Sequence, residues 1–426
     1  MKQLRILLSA YACEPGRGSE PGVGWTWALA LARRGHEVWV ITRANNRAAV
    51  EQGVSSLNDS VRARLHFIYY DLPAWAKWWK KGHRGVHLYY LLWQWGAYKL
   101  ARDWHNNIKF DLVHHVTFVT ARQPSFMGNL GVPFIFGPAA GGERSPWRLR
   151  VGYSMHGWIH DSLRDLVNRL IVLDPLLRRN YLQAEHIYVT TLESLILVPR
   201  CYHHKTSVQL AIAIEVSDHA SGGADQRRIA NTSRPRILYV GHFFSWKGVH
   251  LALRAFAQFV QTVPDARFTI VGMGVEDARL HRLANTLGIN SRIDWHNWLP
   301  QSQLAQLYST HDIFFFPSLR DSGGMVVMEA MAHGLPVVCL DLGGPGVLVD
   351  SSCGRVIDVT RVSVDVVVRR LSDSLIDLVT TPELFQKLAQ GAVSRVSAYS
   401  ADALAEHVYG LIDSGHKCEE ERFEAM

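Results

Sequence analysis

Short apolar runs alternate with longer helical patterns, which predicts an α/β fold of parallel sheets arranged as two Rossmann-like domains facing each other across a cleft. The alternation covers most of the 426 residues, and glycine-rich turns follow several of the runs. In the first half the expected strands are 5–10, 38–42, 65–70, 112–116, 134–136 and 187–191; in the second they are 237–240, 268–271, 313–316 and 337–340. Between the halves, 217–234 is polar and rich in Gly, Ser and Asp, so it reads as a loop near the domain junction. Domains are accordingly expected at 1–205 and 206–396, with a helix over 401–413 and a charged tail inside 397–426.

Hydrophobic residues make up 48% of the chain and charged residues 19%, which excludes a disordered protein and supplies core enough for two domains. The longest apolar stretch, 88–98, falls well short of the roughly 18 to 20 residues that cross a membrane. The start, MKQLRILLSAYAC, has the basic-then-apolar order of a secretory signal. It reads as a buried first strand, because a glycine-rich loop and an amphipathic segment follow at once. Cys13, Cys201, Cys339, Cys353 and Cys418 are odd in number and never spaced CxxC, which argues against a disulfide framework or structural zinc and for a reducing, cytoplasmic compartment.

In sheets of this kind ligands bind at the carboxyl ends of strands, so the loops after strands carry the functional expectations. After the first strand, Gly22 and Gly24 either let backbone amides approach a phosphate at a helix N-terminus or simply make a tight turn. In the second half, Gly241-His242 through Lys247-Gly248 follows a strand and precedes an apolar-periodic helix. There Lys247 either neutralises a diphosphate leaving group or caps a turn in solvent. The next strand ends in Val271-Gly272-Met273-Gly274, another close-approach turn.

The segment from Pro317 is the most informative, because strand, glycine turn, helix and strand follow one another within 22 residues. Asp321 precedes the turn, where it could accept hydrogen bonds from a sugar, and Glu329 lies inside an otherwise apolar helix. A carboxylate there needs a partner. Ribose hydroxyls would serve; so would a neighbouring backbone cap or an arginine.

The pattern over 236–349 resembles the donor-binding half of the retaining GT-B glycosyltransferases of family 4, and the first 45 residues resemble its opening. The family's Glu-x7-Glu motif is matched as Asp321-x7-Glu329, followed by GLPVV and Gly343-Gly344. The resemblance implies that Glu329 binds the donor ribose and that Lys247 binds the diphosphate. It also implies that Asp321, Gly323, Gly324, Met325 and Val326 line the sugar and phosphates. The family carries Arg where His242 stands and Glu where Asp321 stands. A family strand ending in histidine near the transferred sugar is matched by 111–118, where His114 and His115 face opposite ways and one, favoured as His115, would line the cleft with the loop 137–143. The resemblance further implies a C-terminal helix that returns onto the first domain.

Charge is split along the chain: through Lys205 there are 26 Lys+Arg against 14 Asp+Glu, and 11 of the 14 tryptophans precede residue 206. A basic, Trp-rich half suits an anionic membrane surface. Trp75, Lys77, Trp78, Trp79, Lys80, Lys81 and Arg84 interleave the two residue types and are expected to dock it there. No zinc finger, RNP-like strand or KH loop points to nucleic acid. No Asp-x-Asp motif occurs, so neither a metal nor another cofactor is expected. The expectation is a retaining hexosyltransferase using a UDP- or GDP-sugar and a lipid-linked glycan acceptor in surface polysaccharide synthesis, peripheral on the cytoplasmic face of the membrane. The alternatives are an epimerase or hydrolase of the same fold, or a non-catalytic membrane-binding protein.

Overall fold

The computed structural model describes residues 3–16, 19–77, 85–118, 120–213 and 234–410. Residues 217–233 of the expected loop and the residues after 410 lie outside them. The first sheet contains β1 (Arg5–Ala10), β2 (Glu37–Arg43), β3 (Leu65–Tyr70), β4 (Leu112–Thr117), β5 (Phe134–Ala139), β6 (His186–Val189) and β7 (Thr206–Val208), in the order β3-β2-β1-β4-β5-β6-β7. The second contains β8 (Arg236–Val240), β9 (Arg267–Val271), β10 (Ile293–His296), β11 (Ile313–Phe316), β12 (Val337–Leu340) and β13 (Gly354–Ile357), in the order β10-β9-β8-β11-β12-β13. All pairings are parallel.

Central strands such as β11 (IFFF) and β12 (VVCL) are buried along their whole length, as parallel strands covered on both faces must be. Three strands escaped the sequence reading: β7 (TSV), β10 (IDWH) and β13 (GRVI). Each is a sheet edge with partly exposed residues, so none needed the continuous apolar run that marks the others.

The chain divides into two compact units, and it does so differently from the expected domains. One unit takes 3–142, 168–213 and 401–410; the other takes 143–167 and 234–400. Residues 143–167, expected in the first domain, belong to the second unit because their polar side chains find partners there. Arg320 donates to Asp161 at 2.6 Å, and Ser154 and Ser245 both donate to Glu276. Gly157 allows the approach, since a Cβ would come within 2.2 Å of Ser245 Oγ. Residues 401–410 are helical and join the first unit, where Tyr409 Oη lies 2.6 Å from His114 Nδ1 and Tyr188 donates to the Val408 carbonyl.

In the first unit the helix Val86–Ile108 buries Tyr89, Tyr90 and Trp93, with Trp93 Nε1 donating to the Tyr70 carbonyl at 3.0 Å. In the second, the helix Val249–Thr262 carries nine buried residues and packs on Val364–Thr380.

Because His114 Nε2 donates to the Gly137 carbonyl at 2.8 Å, Nδ1 is the acceptor of the Tyr409 hydroxyl proton. Tyr409→Phe leaves that buried nitrogen unpaired. It should cost about 1 to 3 kcal/mol in denaturant unfolding, whereas an unchanged midpoint would show that the contact contributes nothing.

Candidate active site

Strand order reverses about β8 and β11, which are neighbours although β9 and β10 intervene in sequence. Loops leaving such a pair diverge and leave a crevice at their carboxyl ends. Here the loops are 241–248 and 317–324. They touch backbone to backbone at Gly248, whose φ is +73° and where a Cβ would stand 1.9 Å from the Pro317 carbonyl oxygen. Only glycine fits there. Leu319 N donates to the Trp246 carbonyl at 2.9 Å and fixes the same approach.

Across this contact Lys247 Nζ lies 2.5 Å from Asp321 Oδ2, with side chains 19% and 14% exposed. The other carboxylate oxygen accepts from Gly323 N at 3.1 Å and Gly324 N at 3.0 Å. Burial pushes the Asp321 carboxyl upward, but the Lys247 ammonium and the two amides outweigh it and hold the group below the usual carboxylate range. Its backbone carbonyl accepts from Gly344 N at 2.7 Å, and a Cβ on Gly343, at φ +59°, would fall 2.1 Å from that oxygen. Thus Gly324, which caps the helix Met325–Ala332 at its N-terminus, and the Gly343-Gly344 turn are both set by one aspartate. Met325 and Val326 open that helix, where the first amides lack intrahelical acceptors.

Among the described residues Glu329 pairs with neither an arginine nor a backbone cap. Its Oε2 accepts from Tyr308 Oη at 2.9 Å and its Oε1 from Gln301 Nε2 at 3.3 Å. Burial raises its pKa, partly opposed by those two donors and by His333. His242 is exposed with its ring beside Phe244. Gly272 and Gly274 fasten the third loop to the first, against the Gly241 and Phe243 carbonyls.

Several residues at this end of the sheet were missed. Arg320, 8% exposed, lies over the Trp246 ring at 4.2 Å and pairs with Asp161, so it fixes the backbone next to Asp321. The partners are 159 residues apart, and no local signal joins them. Tyr308 and Gln301, on the helix Gln301–Thr310, were likewise invisible without the fold.

In the first unit two readings need correction. Gly22 and Gly24 lie inside the helix Ser19–Arg33 and not in the turn before it; a Cβ on Gly24 would be 2.2 Å from the Ala12 carbonyl, so this glycine serves helix–strand packing. His114 and His115 are both fully buried within β4, so His115, expected to line a cleft, presents no exposed surface. His115 is held between Tyr90 Oη and Ser9 Oγ, each at 3.0 Å. Burial lowers both to about 3, keeping them neutral, and both rings already have two partners. Trp75 is exposed; Trp78, Trp79, Lys80, Lys81, Arg84 and the Lys77 side chain lie outside the described residues.

Comparison with known proteins bears on the second unit and on the fold. Residues 224–395 match the family of glycosyl transferases group 1. The fold is GT-B. Sucrose-phosphate synthase from Thermosynechococcus elongatus superposes with a TM-score of 0.63 at 17% identity, covering 98% of this chain and 100% of that one. Anabaena Alr3699/HepE in complex with UDP and glucose gives 0.58 at 15% identity, covering 97% and 100%. A sequence relative is the GDP-mannose-dependent alpha-(1-6)-phosphatidylinositol monomannoside mannosyltransferase of Mycolicibacterium smegmatis. It is 31% identical over 152 residues, 34% of this chain and 39% of that protein. The chain spans 34% to 47% of the lengths of such curated relatives.

Two outcomes test the geometry around Asp321. Asp321→Asn should lower stability by about 1 to 3 kcal/mol. Since the folded-state pKa is depressed, the deficit should be full above roughly pH 4 and fade as pH falls through that lower value; a pH-independent deficit would contradict the pairing. Arg320→Ala and Asp161→Ala should each cost about 3 to 5 kcal/mol, and the double variant distinctly less than their sum.

Proposed function

We propose that this protein is a glycosyltransferase that moves a sugar, with retention of anomeric configuration, from a nucleotide-diphosphate donor to a lipid-linked glycan. The observation that carries the reading is the Lys247–Asp321 pair, closed over a glycine turn at the point where strand order reverses, in a segment matching group 1 glycosyl transferases.

Departure of a nucleoside diphosphate builds negative charge on its phosphates. The Lys247 ammonium, which directs one of three donors at Asp321, and the opening amides of the Met325–Ala332 helix are suited to meet that charge without reorganisation. His242, exposed beside them in sequence order, supplies a further donor. Glu329, oriented by Tyr308 and Gln301, is the acceptor for ribose hydroxyls. These groups act without a metal in this proposal. Retention follows from the family resemblance, with the acceptor hydroxyl attacking from the face that the diphosphate leaves.

A lipid-linked acceptor is supported by the basic, Trp-rich first half and by the relative acting on phosphatidylinositol monomannoside. In this reading the protein meets its acceptor at the membrane surface, on the cytoplasmic side; among the described residues no helix is long and apolar enough to cross a membrane.

The test is a thermal-shift panel of UDP, GDP, ADP, CDP and their sugar conjugates without added metal. One base should stabilise the protein by about 2.7 kcal/mol at a hundredfold excess over Kd, and both Glu329→Ala and Lys247→Ala should abolish the shift. No shift with any of them would overturn the proposal.

A further inference from the structure

The helix Met155–Ile171 has an unusual distribution of side chains. Met155, Ile159, Leu163, Leu166 and Leu170 are each at least 50% exposed. At 100° per residue they fall within an arc of about 80°, forming one continuous outward ridge. A surface helix of a soluble domain places such a stripe against the core. Here the opposite face packs inward: Gly157 against Ser245, Asp161 against Arg320, and Asp165 against Arg150 and Arg144.

The charges follow the same division. Asp161 and Asp165 are the only acids on the helix, and both are ion-paired on the inner side. The exposed charged residues from 144 to 171 are Arg144, Arg148 and Arg169, all basic, and Arg148 stacks over the exposed ring of Trp147 just before the helix. An apolar ridge with a basic fringe and no exposed acid matches the boundary between anionic headgroups and acyl chains. A second copy of the chain matches it poorly, because a two-fold contact would set identical arginines near one another.

We propose that the Met155–Ile171 helix lies in the plane of an anionic membrane surface, ridge inward to the acyl boundary. Its inner face holds the loops that carry Lys247 and Asp321. This deepens the lipid-acceptor reading, on which it rests for its purpose. It also moves the docking element from the 75–84 stretch to a helix between β5 and β6.

The experiment is co-sedimentation of the full chain with phosphatidylglycerol/phosphatidylcholine vesicles and with phosphatidylcholine alone, at low and high salt, with no donor or acceptor present. The thermal-shift panel stays independent of it, so failure here leaves the donor reading standing. Wild type should bind the anionic vesicles at least tenfold better than the neutral ones. Leu163→Glu/Leu166→Glu and, less severely, Arg169→Glu should reduce that binding at least tenfold and threefold. All three positions are exposed, and unchanged melting temperatures confirm that the variants fold. Equal binding by wild type and the double variant would overturn the proposal. So would no preference for anionic lipid, or a ridge whose substitution only turns a dimer into a monomer in size-exclusion chromatography.

Discussion

A carboxylate nearly removed from water must find donors, and Asp321 meets that demand with a lysine and two backbone amides, while its own backbone carbonyl accepts from Gly344 N. Four chain segments therefore converge on one residue: the loop after β8, the loop after β11, the start of the Met325–Ala332 helix and the turn after β12. The glycines of these segments are consequences of that convergence. Backbones that meet around a single residue must come closer than any side chain allows.

The arrangement has an electrostatic consequence for the reaction proposed. An ammonium already held by a carboxylate is positioned before substrate arrives, so little side-chain ordering is needed when a diphosphate approaches. The same carboxylate tempers its charge, and the helix amides supply the remaining positive potential from a fixed direction. Division of labour between a held cation and rigid dipoles suits a leaving group whose charge grows as its bond breaks.

Legibility from the sequence followed burial. Strands buried on both faces announced themselves as apolar runs, and Asp321, Glu329 and Lys247 stood out because charged residues beside glycine turns or within apolar helices demand an explanation. The edge strands β7, β10 and β13 did not, since half-exposed strands tolerate polar residues. Glu329 was recognisable as needing a partner, yet Tyr308 and Gln301 look like ordinary helix residues. His114 and His115 misled the reading for a physical reason: a histidine inside a β-strand that fills its hydrogen bonds with Tyr409, Gly137, Tyr90 and Ser9 has the same sequence signature as one that faces a substrate. The excursion of 143–167 into the second unit was equally hidden, because the Asp161–Arg320 ion pair and the Ser154–Glu276 hydrogen bond join residues more than a hundred positions apart.

That excursion, together with the return of 401–410 to the first unit, means that neither unit is a continuous stretch of chain. A ribosome makes the first sheet early, but Tyr409 follows His114 by 295 residues. At about 5 to 20 residues per second, His114 waits roughly 15 to 60 seconds for the hydroxyl that completes its hydrogen bonds. During that interval the nascent first unit has an unsealed polar pocket in its central strand, while the second unit has been made in full. Birth order and completion order are thus reversed in this chain, and the unit begun first is the one finished last.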